Sequence, residues 1–278
     1  MATKTYNSAV GASSPVDGRI FRFMGNYLYG ESLATLRAAA GTTAEDATSV
    51  VSVALWQSYY SGFHTLRRGI MCFDTSAIGA GALIRKVTLQ LYGHSKANDL
   101  LSNSEGGISI VSATPANTNA LVVGDYNTLG TTRYATDIAY NSIAIGSYNT
   151  LTFNSTGIAA ISKTGITKIG MALAVDTDNG SPLDDEANKY CSVMFKSADA
   201  GSSVRPILTV WYYNDLGLSY RKGGVTKKIG VDTLDGHTVR VRIAGATYGI
   251  EQLATGDALA SDVRMRVGGV TKAWPLYP

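Results

Sequence analysis

The chain has 278 residues, 45% of them apolar and only 16% charged, with 30 glycines, 16 tyrosines and a formal net charge of +3. That apolar content excludes wholesale disorder, and the length suffices for one large β domain with an appendage, or for two domains. Charge well below the roughly 25% usual in soluble domains, spread along the chain, argues against a nucleic-acid binder and describes a neutral, hydroxyl-rich exterior suited to an extracellular or particle surface.

The first residues, MATKTYNSAVGASSP, hold no apolar core of seven or more, so no signal peptide is expected. No run approaches 18 apolar residues, so no membrane contact is expected. An external-looking protein without a secretion signal fits release by cell lysis, as with virus particles.

Residues 1–17 are small and polar and are expected to form a flexible N-terminal arm. Strands are expected at Gly18–Gly25, Ser32–Ala40 and Thr48–Ser58, although Leu33 and Leu36 also fit a helical period. From Arg67 to Gly93 an apolar strand ends in Phe-Asp-Thr-Ser, a Gly/Ala turn follows, and Val87, Leu89 and Leu91 then alternate with Thr88, Gln90 and Tyr92. This pattern predicts a central hairpin with one buried face. Ser95–Gly107 is expected to be a polar loop, Gly107–Ala113 a strand, and 120–149 short strands and loops carrying Tyr126, Tyr134, Tyr140 and Tyr148. After the alternating Tyr148–Asn154, a short helix is expected over Asn154–Lys163, capped by Asn154, Ser155 or Thr156 and followed by Gly165. Strands at Ile166–Asp176, Tyr190–Lys196 and Pro206–Tyr213 complete residues 18–213. The expected fold is all-β: a jelly-roll β-sandwich with one short helix.

Residues 214–278 form a separate module of three like units, RKGGVTKKI, RIAGATYGI and RVGGVTKAW. Arg221, Arg242 and Arg266 each stand five residues before a Thr. Gly224, Gly245 and Gly269 stand two before it, and Ile229, Ile250 and Trp274 three after. Each unit is expected to be a tight hairpin, and three such units together are expected to support assembly into a trimer or larger homo-oligomer.

Catalytic motifs are missing from the sequence. His64, His94 and His237 are isolated from one another, and no nucleophile elbow or phosphate loop occurs. Cys72 and Cys191 lie in apolar runs as small buried hydrophobes, with a disulfide open only if their strands are neighbours. Asp176-Thr177-Asp178-Asn179-Gly180 with Asp184 resembles the first half of a calcium loop, and those three aspartates are the candidate calcium ligands. Position 187 carries Ala instead of the closing Glu, and a solvated acidic loop is the plainer reading. Tyr59, Tyr60 and Phe63 lie in a polar turn and are the candidate sugar-stacking residues, unless they merely cover the sheet edge.

The run RRGIMCFDTSAI–GA–I–VTLQLY, from Arg67 to Tyr92, resembles the core of DNRLRE-type β-sandwich domains, which are related to carbohydrate-binding modules of secreted bacterial and archaeal proteins. Residues 108–139 and 153–173 are similar to an uncharacterised version found in bacteriophage and environmental virus structural proteins. The resemblance covers roughly residues 30–213. It departs at Cys72, where a branched or aromatic residue is common. The C-terminal Arg-x-x-Gly-Val-Thr units are similar to short repeats that end phage virion proteins. The resemblance implies a virion structural protein, in the capsid decoration or the tail, that meets other virion proteins and acts without turnover. The alternative it implies is a carbohydrate-binding module for a cell-surface or extracellular glycan. It carries over no residue-level binding site.

Overall fold

A computed structural model of the chain describes residues 2–7, 16–25, 27–180, 182 and 188–213, and beyond these the backbone of short paired strands. The fold is all-β and antiparallel, with a few short helices. Contacts divide the chain into two compact units: Thr5–Ala77 with Lys86–Thr209, and Met1–Lys4 with Ile78–Arg85 and Val210–Pro278.

The strands up to residue 213 are β1 (Ala2–Asn7), β2 (Asp17–Phe23), β3 (Thr43–Glu45), β4 (Val50–Gln57), β5 (Phe63–Asp74), β6 (Leu83–Asn98), β7 (Ile108–Ala113), β8 (Leu129–Arg133), β9 (Tyr148–Thr152), β10 (Ile166–Leu173), β11 (Tyr190–Lys196) and β12 (Ile207–Tyr213). The sheet of the larger unit runs β6-β11-β4-β5-β10-β7-β8, with β2 and β3 joined at β5 and β9 at β6. Its inner face is apolar in period two. Val51, Val53 and Leu55 of β4 lie opposite Phe195, Val193 and Cys191 of β11, and all six are fully buried.

β5 organises this sheet. Residues 65–71 pair with β2 along one edge, while the other edge is shared, β4 pairing with 63–67 and β10 with 69–74. The division falls at Gly69, where a Cβ would stand 2.7 Å from Val51 Cγ1 and 3.0 Å from Met171 Cε. Only a residue without a side chain lets both neighbours approach one edge.

Several expectations are corrected. The two strands between Arg67 and Gly93 are not a hairpin: β5 pairs with β2, β4 and β10, and β6 with β9 and β11. The start of the link is tied to the segment before β10. Thr75 Oγ1 donates toward Ser162 O (2.6 Å) and Gly165 O (3.0 Å) and lies 2.7 Å from Thr167 Oγ1, while Asp74 Oδ1 accepts from Ser76 N. Ser32–Ala40 is no strand: Leu33–Ala38 is helix α1, capped by Ser32, whose Oγ accepts from Thr35 N, with Leu33 and Leu36 buried on one face. Ser95–Asn98 is not loop but the end of β6. Part of the expected flexible arm, Ala2–Asn7, is strand β1, hydrogen-bonded to β12, and residues 8–15 lie outside those described.

The short helix α2 (Ser155–Ala159) is capped by Asn154, whose side chain accepts from Gly157 N. A third helix, α3 (Ala174–Thr177), takes up the end of what the sequence predicts as a strand. Cys72 and Cys191 are buried free thiols on strands that do not pair with each other.

The remaining strands are β13 (Ser219–Lys222), β14 (Val225–Lys228), β15 (Val231–Leu234), β16 (Thr238–Ile243), β17 (Ala246–Glu251), β18 (Asp262–Val267) and β19 (Val270–Pro275). Arg221 pairs with Thr226, Arg242 with Thr247 and Arg266 with Thr271. The five-residue offset in sequence is therefore a cross-strand partnership, closed in each unit by the pairs Lys222–Val225, Ile243–Ala246 and Val267–Val270 around a two-residue connection. Trp274 sits on β19 opposite Val263.

Candidate functional site

The outer face of β4, β11 and β6 carries an unusual row of side chains. Across these strands Trp56 stands opposite Tyr190, Ala54 opposite Ser192, which faces Ala97 on its other side, and Ser52 opposite Met194, which faces Ser95. Alternation places all of them on the face away from Val51, Val53 and Leu55, where Ser52 and Ala54 are themselves buried and the β11 and β6 residues line the opening. An aromatic pair thus borders a strip of small residues, and the sheet is left with a trough where larger side chains would have filled it. The resulting cleft has a volume of about 580 Å³ and is lined by Tyr27, Trp56, His64, Ala97, Tyr190 and Ser192 among others. This size is in the range of small-molecule sites.

One wall is built by the segment 27–31, laid against 58–63. Tyr59 N donates to Tyr27 O (2.7 Å), Tyr60 N to Leu28 O (2.8 Å) and Gly30 N to Ser61 O (2.8 Å), and Glu31 and Phe63 exchange both main-chain bonds (2.8 and 2.9 Å). Gly30 is required by this approach, since a Cβ there would stand 2.5 Å from Phe63 N and from Ser58 Oγ. Gly62 turns the chain with φ +72°. An Arg22–Glu31 ion pair (3.1 Å) ties the segment to β2.

His64 is the floor between the aromatic rings. Its ring meets Phe23, Tyr27 and Trp56 edge-on, at centroid distances of 5.9, 5.1 and 5.8 Å. Nδ1 lies 2.7 Å from Thr65 Oγ1. Burial pushes the imidazole below its ordinary pKa, so the neutral ring is favoured. Trp56 and Tyr190 meet at 5.6 Å with planes 60° apart. Lys96 spends its charge beside the cleft by donating to the carbonyls of Tyr140 (2.8 Å) and Ile143 (2.8 Å), with Nζ 4.8 Å from the Tyr140 ring. Three buried polar atoms without a partner among the described residues, Arg22 Nε, Trp56 Nε1 and Ser58 Oγ, belong to this same end of the sheet.

The predicted stacking residues divide. Tyr59 (48% exposed) and Tyr60 (60%) are on the surface, but Phe63 is 2% exposed, because it opens β5 and faces the core instead of sitting in a turn. Tyr60 packs on Tyr29 at 5.1 Å and on Tyr59 at 4.8 Å. Of the tyrosines expected in loops, Tyr126 is fully buried and its OH donates to Leu36 O at 2.9 Å. Cleft residues Ser95, Ala97 and Ser192 were hidden in the sequence because small residues there look like loop or generic strand. Only the register aligns them.

The predicted calcium ligands are engaged otherwise. Asp176 is buried between Arg68 and Arg37: Arg68 Nε and Nη2 donate to its two oxygens at 2.7 and 2.9 Å, and Arg37 Nε to Oδ1 at 3.1 Å. Asp178 is exposed and accepts from Arg133 Nη2 at 2.7 Å. Asp184 lies outside the described residues. Asp176 thus acts as a bridge between two guanidiniums. Among the described residues no group of three or more His, Cys, Asp or Glu is placed to hold a metal ion, and no helix is long and apolar enough to cross a membrane.

No family model matches the chain, and no curated protein matches it.

Proposed function

We propose that this protein is a non-enzymatic surface-binding module whose aromatic cleft holds a segment of a cell-surface or extracellular polysaccharide. The cleft itself carries the reading. Tyr27, Trp56 and Tyr190 offer apolar ring faces of the kind that pack on the CH faces of sugars, and Ser95 and Ser192 offer hydroxyls on the floor. Titration calorimetry with purified polysaccharide from the surface of the host cell tests it. Saturable binding lost in Trp56→Ala is the expected result, and no heat with any saccharide preparation would overturn it.

The setting we infer is a bacteriophage virion, as a capsid decoration or a tail-associated adhesion protein, made in the host cytoplasm and released by lysis. Its support is the resemblance of residues 108–139 and 153–173 to phage and environmental virus structural proteins and the three hairpins with equivalent Arg–Thr pairs, a repetition suited to joining copies with one another and with other virion proteins. The finer architecture we infer for the larger unit is a jelly-roll sandwich. It is supported by β6, which pairs with β9 through residues 88–92 and with β11 through its last residues, as a strand shared by two layers does. Mass spectrometry of density-purified particles tests the setting. A constant copy number per particle is expected, and a protein found only free in the lysate would sink it.

A further inference from the structure

We propose that the ligand seat is the cleft alone, and that it takes an individual saccharide chain or chain end instead of the flat face of a packed polysaccharide. This rests on the glycan-binding reading above and goes on to name the form of the ligand. The orientation of the rings decides it.

A flat array of chains needs aromatic rings in one plane, so that successive sugars meet successive ring faces. Among the described residues around the cleft no such plane exists. Around the cleft Trp56 and Tyr190 are inclined by 60°, Trp56 and His64 by 84°, and Tyr27 and His64 by 70°. Rings set at these angles form walls around a volume. They stack on one chain from more than one side and leave no room for a lattice plane.

The exposed tyrosines outside the cleft do not supply the missing platform. Tyr59 and Tyr60 meet at 86°, edge to face, and Tyr29 and Tyr60 at 33° with centroids 5.1 Å apart. The three rings stay about half exposed but share no plane, so they give a flat ligand no continuous platform.

The floor agrees. Ser192 faces Ala97 between the Trp56–Tyr190 pair at one end and the Met194–Ser95 pair at the other. The strip of small residues lowers the sheet surface by the height of the missing side chains. A single chain enters such a depression, whereas a rigid sheet of chains rests on its rim.

The experiment compares two forms of ligand and three variants of the full chain. Soluble oligosaccharides made by partial hydrolysis of the host-surface polysaccharide are measured by calorimetry. Microcrystalline cellulose and crystalline chitin are used in pull-downs. Wild-type protein is expected to bind the soluble oligosaccharides and to leave the crystalline solids unbound. Ala97→Trp fills the trough and is expected to weaken binding by at least about tenfold, with Tyr190→Ala, which removes a wall without adding volume, doing the same if the larger residue impairs folding. The double variant Tyr59→Ala with Tyr60→Ala is expected to bind within about twofold of wild type. Retention by crystalline solids, or loss of oligosaccharide binding in the tyrosine double variant with Ala97→Trp and Tyr190→Ala unaffected, overturns the proposal while leaving a glycan-binding protein. Absence of binding to every saccharide overturns both.

Discussion

Arg68 grips both carboxylate oxygens of Asp176, 108 residues away, at 2.7 and 2.9 Å, and the same guanidinium stacks over Tyr126 at 4.4 Å while donating to its carbonyl. Arg37 completes the cluster with bonds to Asp176 Oδ1 and to the carbonyls of Val175 and Gly180. One carboxylate thus joins β5, α1 and α3.

Asp176→Asn leaves two buried guanidiniums with no opposite charge, and removing one partner of a buried pair typically costs about 3–5 kcal/mol. Urea unfolding of the variant is expected to show a loss of that order. A loss below about 1 kcal/mol would mean that the bridge stabilises no more than an exposed ion pair.

Calcium is expected to add nothing at this place. Its ligands would be oxygens that Arg37, Arg68 and Arg133 already hold. An ion that binds the folded state raises the melting temperature. Thermal melts with and without millimolar calcium are therefore expected to coincide, and a clear calcium-dependent rise would return Asp176 and Asp178 to the role of ligands.

Thr75 is fully buried and its hydroxyl serves two carbonyls and a second hydroxyl. Thr75→Val keeps the shape and the main-chain bond to Gly165 O but removes the hydroxyl donor to Ser162 O, at a cost of about 1–3 kcal/mol. A near-neutral effect in chemical denaturation would show that water reaches the link between β5 and β6.

His64 makes stability depend on pH. Its folded pKa lies below the ordinary 6.5 because burial disfavours the charged ring. Between the two values the unfolded chain binds more protons than the folded one. The contribution is therefore fully present above about pH 6.5 and is lost as pH falls toward the folded value, at up to about 1.4 kcal/mol per pH unit. The difference in unfolding free energy between wild type and His64→Gln is expected to shrink from pH 7.5 to pH 5. A difference that does not change with pH would show that His64 is already solvated.

Cys72 and Cys191 are expected to be inert in the folded protein. Burial pushes each thiol up to about 12, so at pH 8 only roughly one in ten thousand is thiolate. A disulfide-exchange reagent should modify both in denaturant and neither in native buffer. Rapid native modification would mean that the core opens at β5 or β11.

Much of this fold is legible from residue patterns, because local periodicity answers to local geometry. Val51, Val53 and Leu55 declare a buried strand face, Asn154 a helix cap, and the three Arg-to-Thr offsets a repeated hairpin pair. Where two short-range signals compete, the pattern fails. Leu33 and Leu36 suit a strand or a helix, and the Ser32 cap decides for helix. Ser95-Lys96-Ala97-Asn98 has the composition of a loop, yet pairing with Cys191–Met194 holds it extended.

The sequence by itself determined the all-β class, the repeats and the buried faces, since each follows from spacing along one strand. Which strands are neighbours was decided only by the tertiary structure. Hydrogen bonds between strands have no sequence signature of their own, so β5 could turn from β6 toward β10 without a change in either pattern. The cleft belongs to that second kind of information. Trp56, Ser192 and Ala97 come from three strands far apart in the chain, and only a shared register sets them side by side on one face.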